Sequence, residues 1–180
     1  MMEHARSLMT AATLLAASAV FMPQSAQAEA ISPQADKQAV ATANKAKVEA
    51  VLQAWMSGDG AALQPLLSDD IEWTITGNSV AAGTTKGREE LMKKVLRPFG
   101  ARFSQSKDRF RPRKILGIFA DGDTVVANFD GAGIANNGLS YRNSYLWLLS
   151  MKDGKVVRAT AFFDSIAFNE LWDKVQPAMN

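Results

Sequence analysis

The amino-acid sequence predicts an α+β domain: a cone-shaped, curved antiparallel or mixed sheet with three to four helices covering its concave face. Two observations support this class. Helical periodicity comes first in the chain, and two Asp-Gly turns then divide the second half into successive strands. Helices followed by a β-meander are an α+β order, and a strongly bent sheet needs helices over its concave face. A length of 180 residues fits one such domain.

The amino terminus has the features of an export signal. An early arginine precedes an uncharged, mostly apolar run from Leu8 to Met22, and Ala26-Gln27-Ala28 fits a cleavage site. The apolar run is too short for a membrane span; a buried N-terminal helix is the alternative. We therefore expect a signal peptide over 1–28 and a polar tail or linker over 29–43. The folded domain would then occupy 44–180, with no transmembrane segment, in a periplasmic or secreted protein.

Composition excludes several kinds of chemistry. The chain has no cysteine, and its one histidine, His4, lies in the predicted signal peptide. A mature domain without His or Cys has no Ser-His-Asp or Cys-His nucleophile. It also has few ligands for zinc or copper, so we expect no metal and no cofactor. A net charge of +2 gives no indication of a nucleic-acid partner.

The first elements follow from hydrophobic spacing. Apolar residues from Val48 to Met56 recur every three or four positions, which predicts a helix that ends at Gly58-Asp59-Gly60. Alternation from Ile71 to Thr76 predicts a half-buried strand. The segment from Gly77 to Gly83 is then a loop, or a hairpin made with the residues that follow.

The middle of the chain is helical and then basic. A helix is predicted from Gly87 to Arg97, with Pro98 marking its end. The segment from Arg102 to Lys114 carries a strong excess of basic residues. It has two interpretations, an anion or membrane-surface patch or a solvated loop and strand edge, and composition does not choose between them.

The second half is predicted to be a β-meander followed by a short helix. The strands are Arg113 to Phe119, Thr124 to Gly131, Ser140 to Met151 and Lys155 to Asp164. Asp-Gly pairs make two of the turns. Apolar residues from Phe168 to Val175 then predict a terminal helix, for which Ser165 is a plausible cap.

Several segments together resemble a known family. They are Trp55 to Asp59, Asp70 to Trp73, Gly87-Arg88-Glu89, Tyr141 to Tyr145 and Phe162-Phe163-Asp164. Their order and spacing over residues 44–176 resemble the SnoaL-like branch of the nuclear transport factor two-like superfamily, which has the ketosteroid isomerase-like fold. The resemblance implies a cone with a pocket. The superfamily includes isomerases, cyclases, epoxide hydrolases and dehydratases, as well as members that only bind or assemble.

Strand parity selects the candidate site, because side chains alternate between the faces of a sheet. Asn128 and Asp130 share one face of their strand, Phe162 and Asp164 share one face of the last strand, and Tyr141, Asn143 and Tyr145 share one face of the strand between. If these faces are the concave ones, the polar groups converge near one end of the cone. The candidate catalytic residues are Asp164, Asp130, Asn143 and Tyr141; the candidate ligand-binding residues are Trp73, Asn128, Tyr145 and Phe162.

Such a site would suit acid/base chemistry without histidine. A carboxylate in an apolar pocket has a raised pKa, and a second carboxylate drives the two titrations apart. Asn143 and Tyr141 would donate hydrogen bonds to a developing oxyanion. In the limonene epoxide hydrolases that the chain resembles, a polar-x-Asp pair and a last-strand Asp frame a water molecule. Asn128-Phe129-Asp130 with Asp164 is similar, except that Asn128 stands where that family has Arg.

Each candidate also has a structural interpretation. Asp164 would cap the terminal helix, Asp130 would be a turn residue, and Asn143 would satisfy a buried backbone group. The two tyrosines would be ordinary strand residues, and Trp73, like Trp147, would belong to the core or to a dimer contact.

Two functions follow from these patterns. The first is an exported domain that binds a small apolar or polycyclic molecule, with acid/base isomerisation, cyclisation or hydrolysis as the candidate reactions. The alternative is a non-catalytic ligand-binding or assembly module. Its convex sheet face, with Phe129 and Phe163, would form a homodimer interface. Carboxylates buried together in a cavity would favour the enzyme, and an apolar convex face would favour assembly.

Overall fold

The computed structural model describes residues 33–178, so the predicted signal peptide lies outside the described residues. The elements are α1 (Pro33–Met56), a 3-10 turn (Gln64–Leu66), β1 (Leu67–Ile75), β2 (Gly83–Lys86), α2 (Arg88–Leu91), a π-helix (Met92–Leu96), α3 (Arg97–Ala101), β3 (Arg111–Asp121), β4 (Thr124–Ile134), β5 (Ser140–Lys152), β6 (Lys155–Phe163) and α4 (Ser165–Lys174). The predicted α+β class is confirmed.

The six strands form one mixed sheet in the order β2-β1-β6-β5-β4-β3. The hairpins β3–β4, β4–β5 and β5–β6 are antiparallel, as the Asp-Gly turns predict for two of them. The hairpin of β1 with β2 inserts beside β6, where β1 runs parallel to its neighbour and Trp73 lies opposite Ala159. The last strand of the meander is therefore an interior strand of the sheet.

Helix α1 begins at Pro33, so residues 33–43, predicted to be a polar tail or linker, are helical. Proline is favoured in the first turn of a helix, where its missing N–H leaves no bond unmade. This part of α1 also has tertiary contacts. Lys37 pairs with Asp121, and Asn44 Nδ2 donates a 3.3 Å hydrogen bond to the carbonyl oxygen of Gly122 in the β3–β4 turn.

The middle helix, defined here as residues 88–101, continues past Pro98, contrary to the predicted end. Its central turn is a π-helix, in which the N–H of Arg97 donates to the carbonyl oxygen of Met92. A proline in a regular α-helix clashes with the preceding turn and removes a hydrogen bond. The wider π-turn just before Pro98 changes that local geometry, and Pro98 then lies in the first turn of α3.

The sheet has an inner face against the helices and an outer face toward solvent. Strand β5 alternates between buried and exposed side chains along most of its length. On the inner face, Trp147 lies opposite Ala161, and the rings of Trp147 and Trp73 meet edge to face at 5.2 Å between centroids. The small alanines of β6 leave room for these indole rings, which form the centre of the core.

Helix α4 closes one end of the sheet. Its cap is Asp164, whose Oδ1 accepts a 2.8 Å hydrogen bond from the N–H of Ile166, rather than the predicted Ser165. The helix packs on the middle helix through Phe168, whose ring stacks on Phe99 at 5.9 Å between centroids. The two elements together cover the end of the inner face.

Candidate functional site

The interior of the cone is filled with aromatic rings. Trp147 contacts Trp55, Trp73 and Phe129, with ring centroids 4.9 to 6.3 Å apart. Phe129 in turn stacks on Tyr145 at 5.1 Å. The void that remains among these rings is only about 60 Å³, far below the roughly 300 Å³ of a small ligand pocket. The wall residues predicted from sequence, Trp73 and Tyr145, therefore serve as core in this state.

One predicted polar cluster does form on the inner face. The hydroxyls of Tyr141 and Tyr145 share a 2.8 Å hydrogen bond, and Asn143 Nδ2 donates to the Tyr141 hydroxyl at 3.0 Å. Asn143 Nδ2 also donates to the carbonyl oxygen of Asp164, and the N–H of Asp164 donates back to Asn143 Oδ1, both at 2.9 Å. Asn143 thus joins β5 to the residue after β6, which is the structural role considered for it above.

The two tyrosines are held in the protonated state. Burial raises the pKa of Tyr141, against the smaller opposing effect of its hydrogen bonds from Tyr145 and Asn143. Burial also raises the pKa of Tyr145 well above its usual value near 10. At neutral pH both groups are hydrogen-bond donors and acceptors, and neither is a general base.

The predicted position of Asn128 and Asp130 on the concave face is wrong. Asp130 lies opposite Ser144, and Asn128 lies opposite Leu146, so both follow the outward phase of β5. Asp130 Oδ1 accepts a 2.7 Å hydrogen bond from the Ser144 hydroxyl. The alternate positions of β4 carry the apolar residues Val125, Ala127 and Phe129, which are all fully buried. Because burial of these side chains is favourable, their face of the strand is the inner one, and Asn128 and Asp130 lie on the outer face.

Asp164 and Phe162 also lie away from the interior. Asp164 is exposed and caps α4, and the Phe162 ring is 44% exposed on the outer face. The two predicted carboxylates do share a space, an open outer groove of about 1,000 Å³ at the end of the sheet. Six of the eight predicted site residues line this groove at the end of the sheet: Asn128, Asp130, Phe162 and Asp164, together with Asn143 and Tyr145, whose side chains belong to the inner face. The groove is broad and open, and it does not bury the carboxylates together.

The outer face carries an apolar patch, but not the one predicted from sequence. Phe129 is fully buried on the inner face, and Phe163 is half-buried against Tyr145 and Phe168. The exposed apolar side chains of the outer face, which we call the outer patch, are Phe119, Leu146, Leu148 and Phe162. Leu146 and Phe162 lie opposite each other on the adjacent strands β5 and β6. Phe119 on β3 is separated from Leu148 on β5 by Val126 of β4.

A second concavity, here called the mouth cleft, opens between the end of α1, the middle helix and the segment before β3. Its volume is about 460 Å³, which is within the usual range for ligand pockets. Its apolar surface includes Trp55, Phe99, Phe103 and Phe110, together with Leu63, Met92 and Leu96. Trp55, Leu63, Leu96, Phe99 and Phe110 also border the inner void. The cleft and the interior are thus separated by shared side chains.

Sequence reasoning missed this cleft because its four rings come from three separate segments. The signal that pointed to it was the basic segment from Arg102 to Lys114, which serves several roles in the structure. Arg102 is buried, with its guanidinium 3.8 Å from the centroid of the Trp172 ring. Arg113 pairs with Asp108 and lowers the pKa of that carboxyl by hydrogen bonding. Lys107, Arg109 and Arg111 line the cleft.

Two features that residues 33–178 lack bear on metals and membranes. No group of three or more His, Cys, Asp or Glu side chains in this range is arranged to hold a metal ion. No helix in it combines the length and apolar character needed to cross a membrane.

A model of the SnoaL-like domain matches residues 48–159, more than half of the chain. The match runs from the apolar face of α1 through the first part of β6, so it includes the elements on both sides of the mouth cleft. No curated protein sequence matches the chain.

Solved structures share the fold at low identity. Bal32a, from a soil-derived mobile gene cassette, has a TM-score of 0.59 and 23% identity, covering 73% of this chain and 98% of its own. An LEH-like epoxide hydrolase from M. tuberculosis has a TM-score of 0.52 and 22% identity, covering 74% and 92%. A putative SnoaL-like polyketide cyclase from Jannaschia Sp. CCS1 has a TM-score of 0.55 and 15% identity, covering 73% and 92%. These are similarities of fold.

Proposed function

Because this chain belongs to the SnoaL-like domain family, we propose that it is a binding domain that takes a small, largely apolar molecule into the mouth cleft. The observation that carries the proposal is the cleft itself, about 460 Å³ of solvent-accessible space on an aromatic floor. Trp55 and Phe99 are half-buried at this concavity, and an apolar ligand placed against them would remove apolar surface of both partners from water. A polycyclic molecule is one chemical class that fits such a floor.

The backbone of the middle helix supports the same location. Its π-helix, Met92–Leu96, contributes Met92 and Leu96 to the wall of the cleft. Single π-turns inside helices are frequent at functional sites. Methionine is an adaptable side chain that suits irregular apolar ligands.

Binding without catalysis is the version that the site chemistry favours. None of the described residues that line the cleft or the inner void is a carboxylate. The two carboxylates predicted to act as acid and base lie on the outer groove, where Asp130 is bonded to Ser144 and Asp164 caps α4. Isomerase, cyclase or hydrolase chemistry by this pair would need a buried substrate beside both groups, and the groove is open.

Blocking the cleft tests the proposal. Gly100 lines the cleft, and an added Cβ would meet no atom within 4 Å, so Gly100→Phe would place a ring in open space. The neutral fluorophore N-phenyl-1-naphthylamine should bind the wild-type domain and lose at least about tenfold in affinity with Gly100→Phe, since 1.4 kcal/mol corresponds to tenfold. Gln53→Phe, on an exposed position of α1, is the control and should bind normally. Equal binding by all three proteins would refute the cleft as the site.

Export is a further part of the proposal, supported by the amino-terminal pattern of residues 1–28. Expression of the full chain in a Gram-negative host should yield a periplasmic protein whose mature amino terminus follows Ala28. Intact mass of the periplasmic fraction measures this directly. A full-length protein retained in the cytoplasm would contradict it.

The outer patch supports a second proposal, a homodimer formed through the outer face of the sheet. Four apolar side chains are exposed there on three strands of the sheet, and exposed apolar patches commonly mark interaction sites. Leu148→Glu, in the patch, should convert a dimer into a monomer in light scattering, while Lys152→Glu, at the end of the same strand, should not. A wild-type protein that is monomeric at high micromolar concentration would exclude the homodimer.

A further inference from the structure

The rim of the mouth cleft has one sign of charge. Lys107 and Arg109 lie in the segment before β3, Arg111 is the first residue of β3, and all three line the cleft. None of the sixteen described lining residues is acidic. The floor is aromatic, so the cleft combines an apolar body with a cationic edge.

Two of these three cations, Lys107 and Arg109, form no ion pair with the neighbouring acids among the described residues. Both side chains are exposed. Asp108, which lies between them in sequence, is bonded to Arg113 instead. Asp59, near the opposite lip, accepts a 3.0 Å hydrogen bond from the N–H of Ala61 and does not line the cleft.

We propose that the ligand of the mouth cleft is an amphiphilic anion, with a carboxylate or a similar headgroup held by Lys107 and Arg109 and an apolar body on the aromatic floor. This inference rests on the proposed function, because it names the ligand class of the same cleft. A concavity lined by one sign of charge over apolar walls concentrates ions of opposite sign. Burial of the apolar body supplies most of the affinity, and the cations select the anionic headgroup and fix its orientation.

The experiment compares three soluble probes of equal chain length: dodecanoate, dodecanol and dodecyltrimethylammonium. Each is titrated as a competitor of N-phenyl-1-naphthylamine, the two ionic probes below their micelle concentrations and dodecanol below its solubility limit. Dodecanoate should bind about tenfold more tightly than dodecanol, because two partly solvated ion pairs add a modest free energy. The cationic probe should bind most weakly. The preference for dodecanoate should shrink at high salt, where rim charges are screened.

Variants separate the rim from the floor. Lys107→Gln with Arg109→Gln should reduce the affinity for dodecanoate to that for dodecanol and leave dodecanol binding unchanged. Lys45→Gln with Lys152→Gln, an equal change of net charge at exposed positions that do not line the cleft, should leave both unchanged. Gly100→Phe should weaken both probes.

The failures of the two proposals are distinguishable. Equal binding of dodecanoate and dodecanol, both lost in Gly100→Phe, would overturn the anion preference and leave the proposed apolar site standing. Dodecanoate binding that Gly100→Phe does not affect would place the anion elsewhere and overturn this inference. Failure of every soluble probe, with binding to phosphatidylglycerol vesicles that the double Gln variant removes, would assign the cations to a lipid surface and overturn both proposals.

Discussion

At the scale of single residues, Asn143 connects more of the structure than any other polar side chain described above. It bonds to the Tyr141 hydroxyl and to both backbone groups of Asp164, and it is 7% exposed. Buried polar groups that lose their partner incur a desolvation penalty. The side chain is therefore a structural link between β5 and the start of α4.

Asn143→Ala should destabilise the domain by about 2–3 kcal/mol, because it leaves the backbone N–H and C=O of Asp164 without their present partners. Urea unfolding measures the change. Asn128→Ala is the matched control on the outer face, and it should stay within about 0.5 kcal/mol of wild type. A similar decrease in the free energy of unfolding in both variants would show that the hydrogen bonds of Asn143 do not stabilise the domain more than an outer-face asparagine does.

The buried tyrosines predict a stability loss at high pH. Folding raises the pKa of both tyrosines. Below the unfolded-state pKa of about 10, both the folded and the unfolded chain keep these protons, so stability does not change with pH through these groups. As pH rises above about 10, the unfolded chain loses protons that the folded chain keeps. Stability then falls by as much as about 1.4 kcal/mol per pH unit for each tyrosine.

Urea midpoints from about pH 8 to pH 11 test this prediction, together with tyrosinate absorbance, since Tyr141 and Tyr145 are the two tyrosines of the chain. The absorbance should rise only as the protein unfolds. Tyr141→Phe with Tyr145→Phe should have a flatter pH profile than wild type. A tyrosinate signal that grows while the domain stays folded would contradict the raised pKa values.

The residue scale also shows where sequence reasoning succeeded and where it failed. Alternation along β5 correctly grouped Tyr141, Asn143 and Tyr145 on one face. One error arose in β4, where Asn128 and Asp130 lie on the outer face. The other arose in β6, whose inner face carries alanines while Phe162 points outward. A large aromatic phase is normally the buried one, but here the rings of Trp73 and Trp147 fill the space above Ala159 and Ala161. The pairing of large side chains on β1 and β5 with small ones on β6 depends on how the strands are arranged in the sheet, so the sequence of β6 alone does not predict it.

At the scale of elements, the ends of helices were the least predictable feature. The sequence predicted that the middle helix ends at Pro98, but the helix continues through a π-turn and past this proline. It also predicted a linker up to residue 43, but α1 begins at Pro33. Both prolines act in first turns of helical segments, so the same residue type that ends helices also begins them. The choice depends on contacts such as Asn44 with Gly122, which join α1 to the sheet.

The cap of α4 gives a prediction at this scale. Asp164→Ala should lower the stability by about 1 kcal/mol, because the N–H of Ile166 loses its acceptor, whereas Asp164→Asn should be close to neutral. Thermal unfolding measures both variants. Asp173→Ala, an exposed acid in the last turn of the same helix, is the control and should not be destabilising. A destabilised Asn variant would mean that the charge matters beyond the cap.

At the scale of the whole molecule, the fold was easier to predict from the sequence than the site was. The order of elements and the meander turns are local in sequence, so they could be predicted from the chain itself. The mouth cleft is lined by α1, the middle helix and the segment before β3. The distances between these three segments are set by tertiary packing, and no local sequence pattern predicts them. The filled interior is likewise a result of summed ring volumes, with Trp55 reaching from α1 to the indole of Trp147.

The parallel pairing of β1 with β6 also sets the order in which the protein can be completed as it leaves the ribosome. Ile75 pairs with Ala161, which lies 86 residues later in the chain. The β1–β2 hairpin therefore cannot join the sheet until the meander has been synthesised. Until then the apolar side chains of Ile71, Trp73 and Ile75 lack the strand beside which they are buried. A nascent chain that ends at Asp153 already holds five strands, yet it lacks β6, the strand that joins the two parts of the sheet. Apolar surface left exposed at this stage makes a folding intermediate prone to aggregate.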